Sequence, residues 1–197
     1  MKKKFLALIM AGVMLTFCPA AVMAEETEVA EEEMPEIEEI DYSMIDETVY
    51  EGTWVSAFGV FDLYLPSDWD VLVNVDLEEE EAPENSIYFQ AASEDQARAV
   101  AISYAPSEFT SIEDVAAAYS EQGFDEVGYM SINDILVVTY TLLDENGVQT
   151  AGIVALGDQG GLYNVTIGAP ADDAEFGPIA QNIVASFSAT ENEEEAE

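Results

Sequence analysis

Carboxylates are the chemistry-bearing side chains of this chain. Its 197 residues hold 42 Asp and Glu against four Lys and Arg, no His and one Cys, for a formal net charge of −38. Asp68 and Asp70 flank Trp69, and two acids whose environments separate their pKa values can act as acid and base on a glycosidic bond. The same residues also fit a simpler role, because Pro66-Ser67-Asp68-Trp69 reads as a turn with the indole packed under a sheet edge. Acids this frequent fall into pairs by chance. Asp76, Glu78, Glu79, Glu80, Glu81 and Glu84 crowd a second segment, a set of hard oxygens of the kind Ca²⁺ takes. They lack the ligand spacing and central glycine of an EF-hand, so a solvated loop is expected, with Ca²⁺ binding at most weak, on the order of millimolar.

What is missing excludes more. Lys2, Lys3 and Lys4 are the only lysines and Arg98 the only other cation, so beyond the N-terminus no common base is left to take a serine proton. Zinc sites fail for want of imidazole and thiolate. Nucleotide and nucleic-acid binding fail because one arginine cannot neutralise phosphates that the carboxylates repel. Gly157-Asp158-Gln159-Gly160-Gly161 is therefore a loop and not a phosphate cradle. Arg98 is expected to pair with its neighbours Glu94 or Asp95, the alternative being a grip on a ligand carboxylate. Trp54, Tyr42 and Tyr50 are candidates for a contact patch, against the commoner role of aromatic residues as core. No residue is assigned to catalysis, to a cofactor or to a metal.

The N-terminus reads as a targeting segment. Three lysines precede an apolar run over residues 5–17, and Val22-Met23-Ala24 suits a signal peptidase. A signal peptide over 1–24, cleaved and released, is expected. Lipidation at Cys18 and retention as an anchor are the alternatives, the first weakened by Phe17, where a lipobox wants a small residue. Cleavage removes the only cysteine, so no disulfide supports the mature chain, and no span remains to hold it in a membrane. Export without disulfides suits a bacterial protein of the cell surface or extracellular space.

Residues 25–49 read as an acidic disordered spacer, too poor in apolar groups to offset the entropy of ordering. Residues 191–197 form an acidic tail. Residues 50–190 have the length and patterning of one domain. Strands are expected over 53–58 and 60–65, then a hairpin of 87–91 with 99–104 about Glu94-Asp95-Gln96. Ser111 caps a helix with an Ile112, Val115, Ala116, Tyr119 stripe that Gly123 stops. A strand at 126–130 follows, then 135–143 and 148–156 joined through Asn146-Gly147, a strong hairpin signal because both residues tolerate positive φ. After a strand at 162–167, Asp172 or Asp173 is the expected cap of a closing helix that buries Phe176, Ile179, Ile183, Val184 and Phe187. The fold class is α+β, with a central, mostly antiparallel sheet and two main amphipathic helices.

Over residues 50–190 the chain resembles the PsbP-like, Mog-type α-β-α sandwich family. The likeness is carried by Phe61-Asp62-Leu63-Tyr64-Leu65-Pro66-Ser67-Asp68-Trp69, by the helix with Ser111-Ile112-Glu113-Asp114, by the hairpin around Asn146-Gly147, and by the last helix running into Ile183-Val184-Ala185-Ser186-Phe187. Asn133-Asp134 stands where members often carry a glycine. The resemblance implies a noncatalytic accessory or binding domain and transmits no partner, since photosystem and Ran binding belong to particular members. The expected function is an exported, noncatalytic binding module whose partner is an unidentified protein or cell-surface component. A weak calcium-binding surface protein and a carboxylate-dyad hydrolase are the alternatives.

Overall fold

The computed structural model describes residues 37–77, 86–157 and 161–190. The expected leader, the spacer up to residue 36, the acidic run at 78–85, residues 158–160 of the glycine turn and the tail at 191–197 lie outside the described residues.

Among the described residues, eleven strands and two α-helices follow in order: β1 (Glu38–Ile40), β2 (Gly52–Ala57), β3 (Phe61–Pro66), β4 (Asp70–Asn74), β5 (Ser86–Ala92), β6 (Ala99–Ala105), α1 (Ile112–Glu121), β7 (Asp125–Ile132), β8 (Ile135–Leu143), β9 (Val148–Leu156), β10 (Leu162–Pro170), α2 (Phe176–Ser186) and β11 (Ser188–Ala189). Eight strands form one sheet in the order β1-β7-β8-β9-β10-β6-β5-β4, and β11-β3-β2 form a second. The fold is α+β, but the large sheet is mixed, where a mostly antiparallel one is expected. Its departure is β1, which runs parallel to β7 through Glu38↔Met130 and Ile40↔Ile132. That strand comes from the segment assigned to a disordered spacer, so the fold begins before residue 50.

Strand alternation divides the core between the two faces of the large sheet. On β8, Val137 turns toward a cluster with Leu63 and Phe61 of β3 and with Ile179 and Ile183 of α2. Its neighbours Val138 and Tyr140 join Ile112, Val115 and Tyr119 of α1 in a second cluster. Both faces being covered, β8 carries apolar residues at successive positions, and burial of each large one contributes roughly 1.5–3 kcal/mol.

The helices begin differently. Ser111 Oγ accepts the Asp114 N–H at 3.2 Å, as its spacing dictates, and Gly123 at φ +83° closes the helix. Ahead of α2 neither Asp172 nor Asp173 is the cap. Glu175 holds that position without a side-chain bond, while Asp173 stands two residues ahead of it, its Oδ1 accepting the Glu175 N–H at 3.1 Å and its carboxylate bound to Arg98 as well. In the β8–β9 turn only Gly147 adopts positive φ, at +76°. Asp144 supplies the rest, its Oδ1 accepting the N–H groups of Asn146 and Val148, each at 2.8 Å.

Asn133 and Asp134 form the β7–β8 turn with φ +46° and +69°, a backbone glycine would also accept. Asparagine does more there. Its Nδ2 donates to the carbonyls of Ala185 and Phe187 at 2.9 and 3.0 Å, and its Oδ1 accepts the Tyr42 N–H at 3.1 Å. One side chain thus ties the end of α2 to the segment after β1. Asn133→Gly keeps the turn and loses all three bonds, so a loss of about 2–3 kcal/mol is expected in urea unfolding. An unchanged midpoint would show the bonds to be replaced by water.

Burial pushes the hydroxyls of Tyr119 and Tyr140 well above the ordinary tyrosine value, and that of Tyr50 as well, with Tyr64 adding to the last. The folded state favours the neutral phenol, so this stability is fully present below the unfolded value of about 10 and is lost as pH rises toward the folded one. With no His, Lys or Cys beyond residue 18, nothing inside the fold titrates between the carboxylates and tyrosine. The melting temperature is expected to be level from about pH 6 to 9 and to fall above about 10. A tyrosinate absorbance titration checks this: a cooperative rise coincident with unfolding is expected, and a smooth one centred near 10 would contradict it.

Candidate functional site

Six of the eleven residues from Ile40 to Tyr50 are apolar or aromatic, and two buried or half-buried asparagines hold the backbone of this segment in place. Asn133 takes the Tyr42 N–H. Asn182 of α2, only 2% exposed, accepts the Asp46 N–H and donates to the Asp46 carbonyl, both at 2.9 Å. Between these anchors Asp41 caps a short 3₁₀ turn at Tyr42–Met44 by accepting the Ser43 N–H. Asp46 accepts both the N–H and the hydroxyl of Thr48, at 2.9 and 2.6 Å. These Asx turns replace the helix or strand bonds the segment lacks.

The lip so formed stands over the outer face of the β2–β3 hairpin. Trp54 lies opposite Tyr64 in register, and their rings meet at 5.6 Å and 52°. Tyr42 meets Trp54 edge-on at 5.6 Å and 75°. Tyr50 stacks on the far side of Tyr64 at 5.6 Å, its hydroxyl donating to the Tyr64 carbonyl at 2.8 Å. Tyr64 is fixed again by its own hydroxyl, which accepts the Gly52 N–H at 3.1 Å. A Cβ at Gly52 would fall on the Tyr64 and Tyr50 rings, so glycine is required for this approach. The result is a cleft of about 420 Å³ lined by Tyr42, Ile45, Asp46, Glu47, Trp54 and Tyr64. Trp54 and Tyr42 remain 50% and 49% exposed.

Its lining combines aromatic rings with two carboxylates. The rings of Tyr42, Trp54 and Tyr64 meet at steep angles and form a corner open to solvent, and Asp46 and Glu47 complete the lining. Hydrogen bonds from Thr48 hold the Asp46 carboxyl below its ordinary range, the reverse of the raised value that a general acid needs near neutrality. The oxygen-bearing side chains that line the cleft are those of Tyr42, Tyr64, Asp46 and Glu47, and histidine, cysteine and lysine are absent from it.

Other sequence candidates sit apart. Asp68 and Asp70 are exposed, one in the turn after β3 and one opening β4, and neither lines the cleft. Trp69 packs partly against the first core cluster. Asp76 is exposed, and the other acids of that run lie outside the described residues. Among the described residues no group of three or more His, Cys, Asp or Glu is placed to hold a metal ion. Arg98 pairs with neither Glu94 nor Asp95. Its Nε and Nη2 donate to Asp173 at 2.6 and 2.9 Å and its Nη2 to Glu175 at 2.8 Å, because the fold sets the β5–β6 turn against the start of α2. Of the three aromatic candidates, Tyr42 and Trp54 line the cleft and Tyr50 supports it from behind. Ile45, Asp46, Glu47 and Tyr64 were not singled out by composition. The signal for the lip was the Asp-x-Ser and Asp-x-Thr spacing of Asp41-Ser43 and Asp46-Thr48.

No protein-family model matches the chain, and no curated protein is similar to it at a significant level. Solved structures that it resembles include a protein of Bacteroides thetaiotaomicron at 16% identity and a TM-score of 0.45, covering 71% of this chain and 48% of that one. The chain thus spans about half the length of the Bacteroides protein. Others are the cyanobacterial PsbP of Synechocystis, at 13% identity and a TM-score of 0.47 over 70% of this chain and 92% of that one, and LpqN, involved in cell envelope biogenesis of Mycobacterium tuberculosis, at 11% identity and a TM-score of 0.38 over 72% and 86%.

Proposed function

We propose that the protein is an exported, noncatalytic accessory or binding module of the cell surface or extracellular space, built as a PsbP-like α-β-α sandwich, that holds its partner at the Tyr42–Trp54–Tyr64 cleft. One observation carries this reading: a half-exposed indole and phenol are kept open to solvent by a lip that two asparagines fix, in a chain with no histidine and, beyond residue 18, no cysteine or lysine. Ordinary packing would bury such rings, and large aromatic anchors in a pocket are the usual centre of a binding surface. The sandwich is supported by the division of β8 between a cluster with α1 and a cluster with α2 and β3. Export is supported by the lysine-led apolar leader. Among the described residues no helix is long and apolar enough to cross a membrane.

The test is capture from the native envelope with the purified protein as bait. Trp54→Ala is expected to lower recovery of the partner at least about tenfold, as loss of an anchor does, with stability changed by no more than about 1 kcal/mol at this half-exposed position. Undiminished recovery, or robust turnover by the wild-type protein, would overthrow the reading.

A further inference from the structure

We infer that the cleft takes an arginine side chain presented by an extended segment of a partner protein. This rests on the cleft being the binding site, and it adds the chemistry of what enters. A half-exposed indole, two phenol rings set at 75° and 52° to it, and the carboxylates of Asp46 and Glu47 in the same lining are the groups that a planar cation uses. A guanidinium stacks on the indole by cation–π attraction and presents paired N–H donors to a carboxylate. Asp46 is held ionised by Thr48 and is clamped through its backbone by Asn182, so its charge is already in place before a ligand arrives.

The chain cannot satisfy this site with its own arginine. Arg98 is bound to Asp173 and Glu175. The surrounding charge acts in the same direction: with 42 acids against four cations, the field of the molecule draws in a basic segment and repels an acidic one. A neutral sugar would stack on Trp54 but gain nothing from that field. At about 420 Å³ the cleft has room for the guanidinium, its stem and part of a flanking residue, which favours a peptide segment over a free small cation.

The chain has two tryptophans, so the indole N–H region of a proton–nitrogen NMR spectrum reads the site directly. The probe is a blocked Gly-Gly-Arg-Gly-Gly peptide added to the full exported protein at low salt. A saturable shift of the Trp54 signal is expected, with the Trp69 signal still. The affinity should fall about tenfold in Trp54→Ala, followed by backbone signals of the lip, and several-fold in Glu47→Gln. It should also fall as salt is raised. The matching citrulline peptide, equal in shape and uncharged, is expected to leave Trp54 unmoved, and methylguanidinium alone to bind more weakly than the peptide. A citrulline peptide that binds equally, a neutral oligosaccharide that shifts Trp54 where the arginine peptide does not, or arginine binding that is indifferent to Trp54→Ala each overturns the inference. If envelope capture still depends on Trp54 in such a case, the cleft stands as the binding site and only the arginine is wrong.

Discussion

Replacing Arg98 with glutamine is expected to lower stability by about 2–3 kcal/mol at neutral pH, read as a shift in the urea midpoint with the slope unchanged. The side chain is 25% exposed and that of its principal partner, Asp173, only 13%. The pair is bidentate, through Nε and Nη2, the geometry in which an arginine–carboxylate contact is strongest. Glu175 is 78% exposed and adds little, as surface pairs do. Glutamine leaves a mostly buried carboxylate without its cation, in a chain that has no other cation after Lys4. Hydrogen bonding from Arg98 is the first cause that holds the Asp173 carboxyl below its ordinary value. The stability it contributes is therefore present above the unfolded carboxylate value of about 3.9 and is lost as pH falls through the depressed folded value. The gap between wild type and variant should be full at pH 7 and close in acid below about pH 4. A gap that stays constant into acid would mean that Arg98 stabilises through its aliphatic stem.

Gly152→Ala is expected to cost about 3 kcal/mol or more and to lower the melting temperature by roughly 10 °C, although it adds one methyl group. Gly152 lies directly across from Tyr140 on β8 and Thr166 on β10. A Cβ there would fall on the Tyr140 ring, because that ring lies flat over the glycine to reach the next strand. Its hydroxyl donates to Asn164 Oδ1 at 3.0 Å, and Tyr119 and Phe124 close on it at 5.1 and 4.7 Å. The ring has no free direction in which to retreat, so the methyl must displace the second core cluster or break the Tyr140–Asn164 bond. Gly152→Ala combined with Tyr140→Ala separates these contributions: restored packing in the double variant would assign the loss to the collision. A single variant as stable as wild type would show that the strands can part.

Much of the domain between β2 and α2 was legible in the sequence because the forces that set it are local. Ser111 sits where its hydroxyl reaches the Asp114 N–H, so the cap of α1 follows from spacing. The bounds of β8 follow from an apolar run ended by Asp144 and Gly147. Where a local reading departs from the fold, a distant group has intervened. Asp173 accepts the Glu175 N–H from two residues ahead of the cap position, and its carboxylate is shared with Arg98, 75 residues away. Asn133 stands at a position suited to glycine because its side chain serves two other segments. The lip over Trp54 is the clearest case. Residues 38–49 are rich in acids and carry an ordering cost that their own apolar groups do not offset. Hydrogen bonds from Asn133 and Asn182, reaching 91 and 136 residues back along the chain, together with pairing of β1 to β7, help supply the difference.

The sequence by itself determined which chemistries are closed to the fold, since folding can move a side chain but cannot create an imidazole, which is encoded nowhere, or a thiol or ammonium beyond residue 18. It also determined most element types, because hydrophobic periodicity and capping act over a few residues. Only the tertiary structure decided the partner of the lone arginine, the entry of residues 38–49 into the fold, and the meeting of Tyr42, Trp54 and Tyr64 in one cleft. Each of those depends on which remote surfaces come within hydrogen-bond or ring-contact distance, a quantity that no local pattern of residues contains.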